Sequence, residues 1–284
     1  MNWTTLVDAA TLQTHLADPQ LQLLDARFVL TDPTAGARAH AQSHLPRAPH
    51  ADLNRDLADL SGPGEGRHPL PDAGAFAAKL GAWGIGPDHQ VVVYDAGDGS
   101  MAAARLWWML RLLGHTRVAV LDGGLVAWRA ILGEETDEMP TLQPLPPYPA
   151  TFDAAEIVDA GQVLARLDDA AGWLVDARAP ERFSGQAEHM DKVAGHVPGA
   201  VNHPYARNLE AGKFLSPAAL RQGLQPLVGA RDPAELVLMC GSGVTACHLL
   251  LAFEYAGLRG ARVYAGSWSG WISDPARPVA VSAS

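Results

Sequence analysis

A cysteine in a glycine-containing loop is the residue of this chain best suited to chemistry. Cys240 opens the sequence CGSGVTACH, which ends at His248. The apolar run 236–239 before it predicts a buried strand, and the apolar residues after it recur at helical spacing as far as a stop at Gly257. Cys240 is therefore predicted to lie on a loop between a strand and a helix.

The composition of this loop favours a thiolate. Gly241 and Gly243 let the loop, which continues through Val244, curl its N–H groups inward, where they are expected to bind an anionic substrate. The positive end of the following helix adds to their effect. A thiol held in such a loop is expected to react as the thiolate. Thr245 either caps the helix or donates its hydroxyl into the loop. Cys247 falls within the helix beside its apolar face and is expected to be a buried structural residue.

Composition limits the classes of protein to consider. A chain of 284 residues exceeds the size of one typical core and predicts two domains. The net charge of −10 and the lack of a Lys/Arg run argue against a nucleic-acid partner. Two cysteines do not make a disulfide framework, and no signal peptide is evident, so we expect a cytoplasmic protein. No apolar stretch is long enough to span a membrane, so we expect no membrane partner. Without HExxH or paired CxxC spacing, no metal site is expected.

Internal similarity shows that the chain is duplicated. Four features recur in the same order in both halves: LLDAR at 23–27 and LVDAR at 174–178; HLP at 44–46 and HVPGA at 196–200; the apolar runs 91–94 and 236–239, each followed by a loop; and a closing Gly and Trp, at Gly124 and Trp128 and again at Gly266 and Trp271. Four ordered matches make coincidence implausible and predict a tandem repeat.

Each half alternates short β-like runs with helical stretches, which predicts an α/β domain with a mostly parallel sheet and helices on both faces. The Pro-rich segment 139–152 is predicted to be a stiff linker between a domain at 1–138 and a domain at 153–284.

The loops that follow the matching strands of the two halves begin with different residues. Asp95 follows the strand of the first half, and Cys240 follows the equivalent strand of the second half. Ligand sites in such sheets lie at these strand ends. An aspartate cannot replace a thiol as the nucleophile, so the first domain is predicted to be non-catalytic. Its RLWWML segment, 105–110, is expected to be core or interdomain packing.

Three further motifs accompany the cysteine loop, namely DARAPERF at 176–183, GHVPGA at 195–200 and YAGSW at 264–268. With them the chain resembles the two-domain sulfurtransferases of the rhodanese superfamily over almost its whole length. The loop CGSGVTAC is similar to that of 3-mercaptopyruvate sulfurtransferases. The resemblance implies that the Cys240 thiolate takes sulfur from mercaptopyruvate or thiosulfate as a persulfide. A thiol, a thioredoxin-like protein or cyanide then accepts the sulfur, and no cofactor is required.

The resemblance also implies how the donor anion is held. Arg182, in the PERF segment, matches the position that binds the donor's carboxylate or sulfonate, and a guanidinium suits that forked geometry. Arg178 is the competing candidate, although its position beside Asp176 favours an internal ion pair.

A proton relay is implied as well. Ser242 and His68 match a serine and a histidine that, with an acidic partner, are proposed to protonate the departing enolate in mercaptopyruvate enzymes. Asn54 aligns with the acidic position here, which leaves Asp52 or Asp56 as substitutes.

Mercaptopyruvate and thiosulfate are the two alternative sulfur donors. Mercaptopyruvate enzymes of the animal type carry a further Arg where this chain has QAEHMDKVA, 186–194. His189 or Lys192 could replace that Arg, but neither side chain offers the two parallel N–H donors of a guanidinium. The CGSG loop favours mercaptopyruvate, and a thiosulfate-preferring enzyme is the alternative.

Two other classes fit less well. A cysteine phosphatase or arsenate reductase needs a C-x5-R arrangement, and position 246 is Ala. A non-catalytic binding module with a degenerate site is the more remote alternative, and the intact loop at Cys240 speaks against it.

Overall fold

A computed structural model describes residues 1–62 and 64–282, which form two compact units. Unit 1 comprises 1–59, 70–153 and 211–214, and unit 2 comprises the described parts of 60–69, 154–210 and 215–284. The segment 60–69, which carries His68, thus belongs to the unit that contains Cys240. The linear division at 139–152 stays a prediction about the repeated sequence units.

Unit 1 is built on a parallel sheet in the order β1-β4-β3-β2. Its strands are β1 (Leu6–Val7), β2 (Leu21–Asp25), β3 (Gln90–Tyr94) and β4 (Val118–Leu121), and its helices are α1 (Ala9–Gln13), α2 (Ala35–Gln42), α3 (Ala73–Ala82), α4 (Ala102–Leu112) and α5 (Gly124–Ala130). A short strand at Lys213–Phe214 also belongs to this unit.

Unit 2 is built on a second parallel sheet in the order β5-β9-β8-β6-β7. Its strands are β5 (Ile157–Val158), β6 (Leu174–Asp176), β7 (Val201–Asn202), β8 (Val237–Met239) and β9 (Arg262–Tyr264), with a further short strand at Leu209–Glu210. Its α-helices are α6 (Ala160–Leu164), α7 (Pro180–Ser184), α8 (Pro217–Val228), α9 (Thr245–Tyr255) and α10 (Ser267–Trp271), and its 3-10 turns are Ala154–Glu156, Tyr205–Asn208 and Pro233–Glu235.

The two sheets have equivalent topologies. The order β1-β4-β3-β2 is repeated as β5-β9-β8-β6, with β7 added at one edge. The strands read from the sequence at 91–94, 118–121, 236–239 and 262–265 agree with β3, β4, β8 and β9 to within one residue at either end. The predicted α/β tandem duplication is therefore confirmed.

The repeated DAR motif makes the same buried ion pair in each unit. The Arg27 Nη2 atom lies 2.6 Å from the Asp25 carboxylate, and the Arg178 Nη2 atom lies 2.7 Å from that of Asp176. Each guanidinium also donates to a backbone carbonyl beside the HLP or HVP motif. Removing one partner of such a pair leaves an uncompensated buried charge, which costs about 3–5 kcal/mol. The motif thus fixes the end of β2 and of β6.

The helix predicted around 105–110 is a core helix of unit 1. In α4 both Trp107 and Trp108 are buried, and the Trp107 indole donates to the Thr4 carbonyl. The segment 139–152 contains neither helix nor strand, and the Leu145 and Tyr148 amides donate to carbonyls of α3. No helix in the described part of the chain is long and apolar enough to cross a membrane.

Candidate active site

Cys240 lies on the predicted strand-to-helix loop. β8 ends at Met239 and α9 begins at Thr245, so the loop occupies 240–244. The cap position of α9 is Val244, whose side chain makes no capping hydrogen bond. The alternative in which Thr245 caps the helix is therefore wrong, and a hydroxyl donated into the loop stays a prediction. Gly257, with φ of +75°, follows the helix end as expected.

Backbone and side-chain hydrogen bonds fix the orientation of Cys240. Its N–H donates to Ser267 Oγ at 3.1 Å, and its carbonyl accepts from the Trp268 amide at 3.0 Å. Ser267 has a φ of +51°, a left-handed conformation that costs a non-glycine residue about 1 kcal/mol or more. Its hydroxyl also donates to the Tyr264 carbonyl. Sequence reasoning missed Ser267, and its place in YAGSW was the only signal.

The loop leaves several amides available to an anion. Among the described residues, no acceptor takes the backbone N–H of Gly241, Ser242 or Val244. Cys240 itself is only 2% exposed, and the eleven-residue helix α9 begins beside it. This arrangement is what the stabilisation of a thiolate requires. Cys247 is fully buried and its thiol donates to the Gly243 carbonyl at 3.2 Å, which confirms its structural role.

Gly243 determines the shape of the loop. Its φ is +76°, and a Cβ at this position would lie 2.1 Å from the Ala265 carbonyl oxygen. Both the backbone conformation and the close approach to the segment after β9 therefore require glycine.

Replacing Gly243 with Ala is expected to lower the free energy of unfolding by about 2–4 kcal/mol, because the loop must move to relieve the overlap. Urea unfolding measures this loss. Gly223→Ala in α8 is the matched control, since a Cβ at that position would meet no side chain within 4 Å. That control is expected to stabilise by up to about 1 kcal/mol. Equal unfolding midpoints for the two variants would contradict the role given to Gly243.

His68 and Ser242 are brought together in unit 2. The His68 Nδ1 and Ser242 Oγ atoms are 2.8 Å apart, and the direction of the hydrogen bond depends on the tautomer of the imidazole. Both residues are buried, with 3% and 7% of their surfaces exposed. The contact predicted from the resemblance is therefore present in the structure.

The two acids considered for the relay are already engaged in unit 1. Asp56 accepts hydrogen bonds from Arg55 and lies 2.8 Å from Lys79 Nζ. Burial raises the pKa of Asp56, but Arg55 and Lys79 outweigh this effect and hold the pKa below its usual value. Asp52 Oδ1 accepts from the Asn54 and Arg55 amides. The acidic partner of His68 stays a prediction.

Two guanidinium groups flank the residue after the cysteine. A Cβ on Gly241 would lie 3.1 Å from Arg67 Nη2 and 3.5 Å from Arg182 Nη1. Both arginines bind Asp191, at 2.6 Å from Arg67 and 2.9 Å from Arg182, and Arg182 also lies 3.0 Å from Glu188. Arg67 was missed by sequence reasoning. Its place next to His68 was the only signal.

The segment 186–194 therefore contributes carboxylates to the site. His189 and Lys192, the alternatives to a further arginine, have exposed side chains. Burial alone would raise the pKa of Glu188, but hydrogen bonds from the Met190 amide and Arg182 bring it below its usual value. Glu188 is thus held as an anion beside Arg182.

Arg178 forms a buried structural ion pair. Its Nε and Nη2 atoms donate to Asp176, and its guanidinium lies 4.7 Å from the centre of the Trp268 ring. The ion-pair alternative is the one that the structure shows, and the geometry gives no support to Arg178 as a donor-binding residue. Within 1–62 and 64–282, no group of three or more His, Cys, Asp or Glu side chains could hold a metal ion.

A duplicated parallel α/β unit with a cysteine loop at the carboxyl edge of one sheet defines the rhodanese-like class of proteins. The family model described as "Rhodanese-like domain" matches residues 8–131 and 159–274, and the chain belongs to this family.

Relatives of the whole chain are named for two sulfur donors. A Pseudomonas aeruginosa protein named "Probable 3-mercaptopyruvate sulfurtransferase" is 47% identical over 99% of both chains. The thiosulfate sulfurtransferase of Rattus norvegicus is 35% identical over 93% of this chain and 89% of its own. The structure is similar to that of a 3-mercaptopyruvate sulfurtransferase from Leishmania major, with a TM-score of 0.83 and 31% identity over 94% of this chain and 73% of the other.

Proposed function

We propose that this protein is a sulfurtransferase that moves a sulfane sulfur from a small anionic donor, through a persulfide on Cys240, to a thiol or cyanide acceptor. The observation that carries the proposal is the placement of Cys240 on a loop with available amides, beside the guanidinium groups of Arg67 and Arg182. Relatives named for mercaptopyruvate and for thiosulfate support the same chemistry.

In the first step the Cys240 thiolate attacks the outer sulfur of thiosulfate or the thiol sulfur of mercaptopyruvate. With thiosulfate the S–S bond breaks and sulfite leaves with its electron pair. With mercaptopyruvate the C–S bond breaks, pyruvate leaves as its enolate, and the thiol proton must reach the carbon. Both routes leave Cys240 as a persulfide, which the loop amides stabilise as they stabilise the thiolate. An acceptor thiolate or cyanide then takes the outer sulfur.

Only the mercaptopyruvate route needs a proton on carbon. Ser242 and His68 are hydrogen-bonded at 2.8 Å, so Ser242 can donate to the enolate while His68 supplies the replacement proton. This pair favours mercaptopyruvate as the preferred donor. A thiosulfate-preferring enzyme is the second candidate, because the additional arginine of animal-type mercaptopyruvate enzymes is replaced by an acidic segment.

Arg182 and Arg67 are the proposed ligands of the donor's carboxylate or sulfonate. In this structure their partners are the carboxylates of Asp191 and Glu188, so the donor competes with internal anions for the guanidinium groups. A Cβ at Gly241 would crowd Arg67 and would be in ordinary contact with Arg182. A thioredoxin-like protein as physiological acceptor and a cytoplasmic location complete the proposal.

Steady-state transfer to cyanide from mercaptopyruvate and from thiosulfate, measured side by side, tests the donor assignment. Ser242→Ala is expected to lower kcat with mercaptopyruvate by about 10²-fold, because it removes the proton donor to the enolate. Its effect on thiosulfate turnover is expected to be within a few fold, because sulfite leaves without a proton.

His68→Gln serves as the second variant in this test. If Ser242 and His68 act as one relay, the double variant is expected to lose no more mercaptopyruvate activity than Ser242→Ala alone. Ser184→Ala, on α7, is the control serine and is expected to have no effect. Equal losses with both donors would rule out the relay.

A further inference from the structure

One carboxylate joins the two guanidinium groups of the proposed donor site. Arg67 Nη1 donates to Asp191 Oδ1 at 2.6 Å, and Arg182 Nη2 donates to Asp191 Oδ2 at 2.9 Å. The Asp191 side chain is only 4% exposed, whereas those of Arg67 and Arg182 are 25% and 17% exposed. Asp191 therefore neutralises part of the charge of both cations and leaves them accessible to a ligand.

Each guanidinium keeps one terminal nitrogen for the donor. Asp191 takes Nη1 of Arg67, and Asp191 and Glu188 together take Nε and Nη2 of Arg182. Among the described residues, no acceptor is hydrogen-bonded to Arg67 Nη2 or Arg182 Nη1, and both atoms retain contact with solvent. The two atoms would lie 3.1 and 3.5 Å from a Cβ on Gly241. These N–H groups therefore face the cysteine loop.

The formal charges around these nitrogens cancel. The two guanidinium groups are balanced by Asp191 and Glu188, and the third guanidinium nearby, that of Arg178, is paired with Asp176. The Cys240 thiolate that the proposed reaction requires adds one negative charge. A donor anion therefore finds N–H groups to bind, but it gains little from the net charge of the site.

The two proposed donors differ in their charge. Thiosulfate is a dianion at neutral pH, and mercaptopyruvate with its thiol protonated is a monoanion. A Coulomb energy is proportional to each of the two charges, so at one position the Asp191 carboxylate repels a dianion twice as strongly as a monoanion. Salt screens little of this repulsion, because a donor bound to the same guanidinium groups lies within the Debye length of about 8 Å. Asp191 therefore acts on the choice between the donors.

We propose that Asp191 is a specificity-determining residue of the donor site, because its charge disfavours dianionic donors relative to monoanionic ones. This inference rests on the proposed function, since it requires that the donor anion binds Arg67 and Arg182. The missing arginine of the segment 186–194 weakens the case for mercaptopyruvate, but the carboxylates in its place act more strongly against thiosulfate.

The test compares two anions of similar shape that differ by one charge. Thiosulfate and methanethiosulfonate share an S–S bond, and a methyl group in the second anion takes the place of one oxygen. Full-length Cys240→Ser protein labelled with ¹⁵N is titrated with each anion at neutral pH and constant ionic strength, and the Gly241 amide resonance gives the Kd. A serine at position 240 cannot form a persulfide, so binding is measured apart from sulfur transfer.

Asp191→Asn in this protein is expected to lower the Kd of methanethiosulfonate about fivefold and that of thiosulfate about 25-fold, because the repulsion removed is twice as large for the dianion. The ratio of the two Kd values thus shifts about fivefold toward thiosulfate. A displaced guanidinium would instead weaken both anions, and the dianion more. Glu181→Gln is the matched control, since this exposed carboxylate precedes Arg182 in the sequence and solvent screens its charge. Its ratio is expected to stay unchanged.

Glu188→Gln is the second variant and removes the same charge from the other partner of Arg182. The Glu188 Oε1 atom accepts from the Met190 and Asp191 amides, and a glutamine oxygen can still do so. This variant is expected to shift the ratio in the same direction. An unchanged ratio in both variants, a shift toward the monoanion, or no binding of either anion would overturn the proposal.

Persulfide formation on the unaltered protein separates this inference from the proposed function. A persulfide together with an unchanged ratio would leave the sulfurtransferase proposal standing and remove the role given to Asp191. A shifted ratio without a persulfide would show charge selection at an anion site and remove the proposed sulfur transfer.

Discussion

Cys240→Ser is expected to abolish sulfur transfer, with a loss of at least about 10³-fold in kcat, while the fold is retained. A serine hydroxyl is not ionised near neutral pH and cannot form a persulfide. Its size is close to that of the thiol, and the backbone hydrogen bonds of residue 240 to Ser267 and Trp268 do not involve the side chain. The loss is therefore expected to come from chemistry and not from unfolding.

Mass spectrometry after incubation with donor provides the direct readout. The unaltered protein is expected to gain the mass of one sulfur atom, and Cys240→Ser is expected to gain none. Cys247→Ala, which leaves Cys240 as the remaining thiol, is the matched control and is expected to gain the sulfur. If the unaltered protein shows no mass change with either donor, the binding-module alternative replaces the enzyme proposal. Transfer by Cys240→Ser would refute the nucleophile assignment.

Removing the guanidinium groups beside the loop is expected to have the second largest effect. Arg182→Ala and Arg67→Ala are each expected to lower kcat/KM for the donor by about 10- to 100-fold, mainly through KM, because each removes a charge-assisted contact to the donor anion. Arg182→Lys is expected to recover only part of the loss, since an ammonium lacks the bidentate fork.

Steady-state kinetics with each donor measures these changes, and the exposed Arg207 provides a control of the same charge change. Arg207→Ala is expected to leave KM unchanged. An unchanged KM in Arg67→Ala would remove Arg67 from the donor site and leave Arg182 alone. An unchanged KM in both variants would contradict the proposed anion site altogether.

Local spacing was enough to predict the position of the cysteine loop. The apolar run before Cys240 and the periodic residues after it are short-range signals, so β8, the loop and α9 could be placed from the sequence. The duplication could also be predicted, because its motifs recur in the same order in both halves. The DAR motif, one of them, makes the same local ion pair in each unit. The sequence left two roles for Arg178, donor binding and an internal ion pair, and the contacts with Asp176 in the structure show the ion pair.

The surroundings of the loop were decided by tertiary structure. Arg67 and Asp191 are 124 positions apart and His68 and Ser242 are 174 apart, so no sequence periodicity relates them. Ser267, which has a positive φ, accepts a hydrogen bond from the Cys240 amide, 27 positions away. Motif spacing thus determined which residue is proposed to react. Packing of distant segments determined which cations, carboxylates and hydroxyl groups surround it, because electrostatic contacts depend on distance in space and not along the chain.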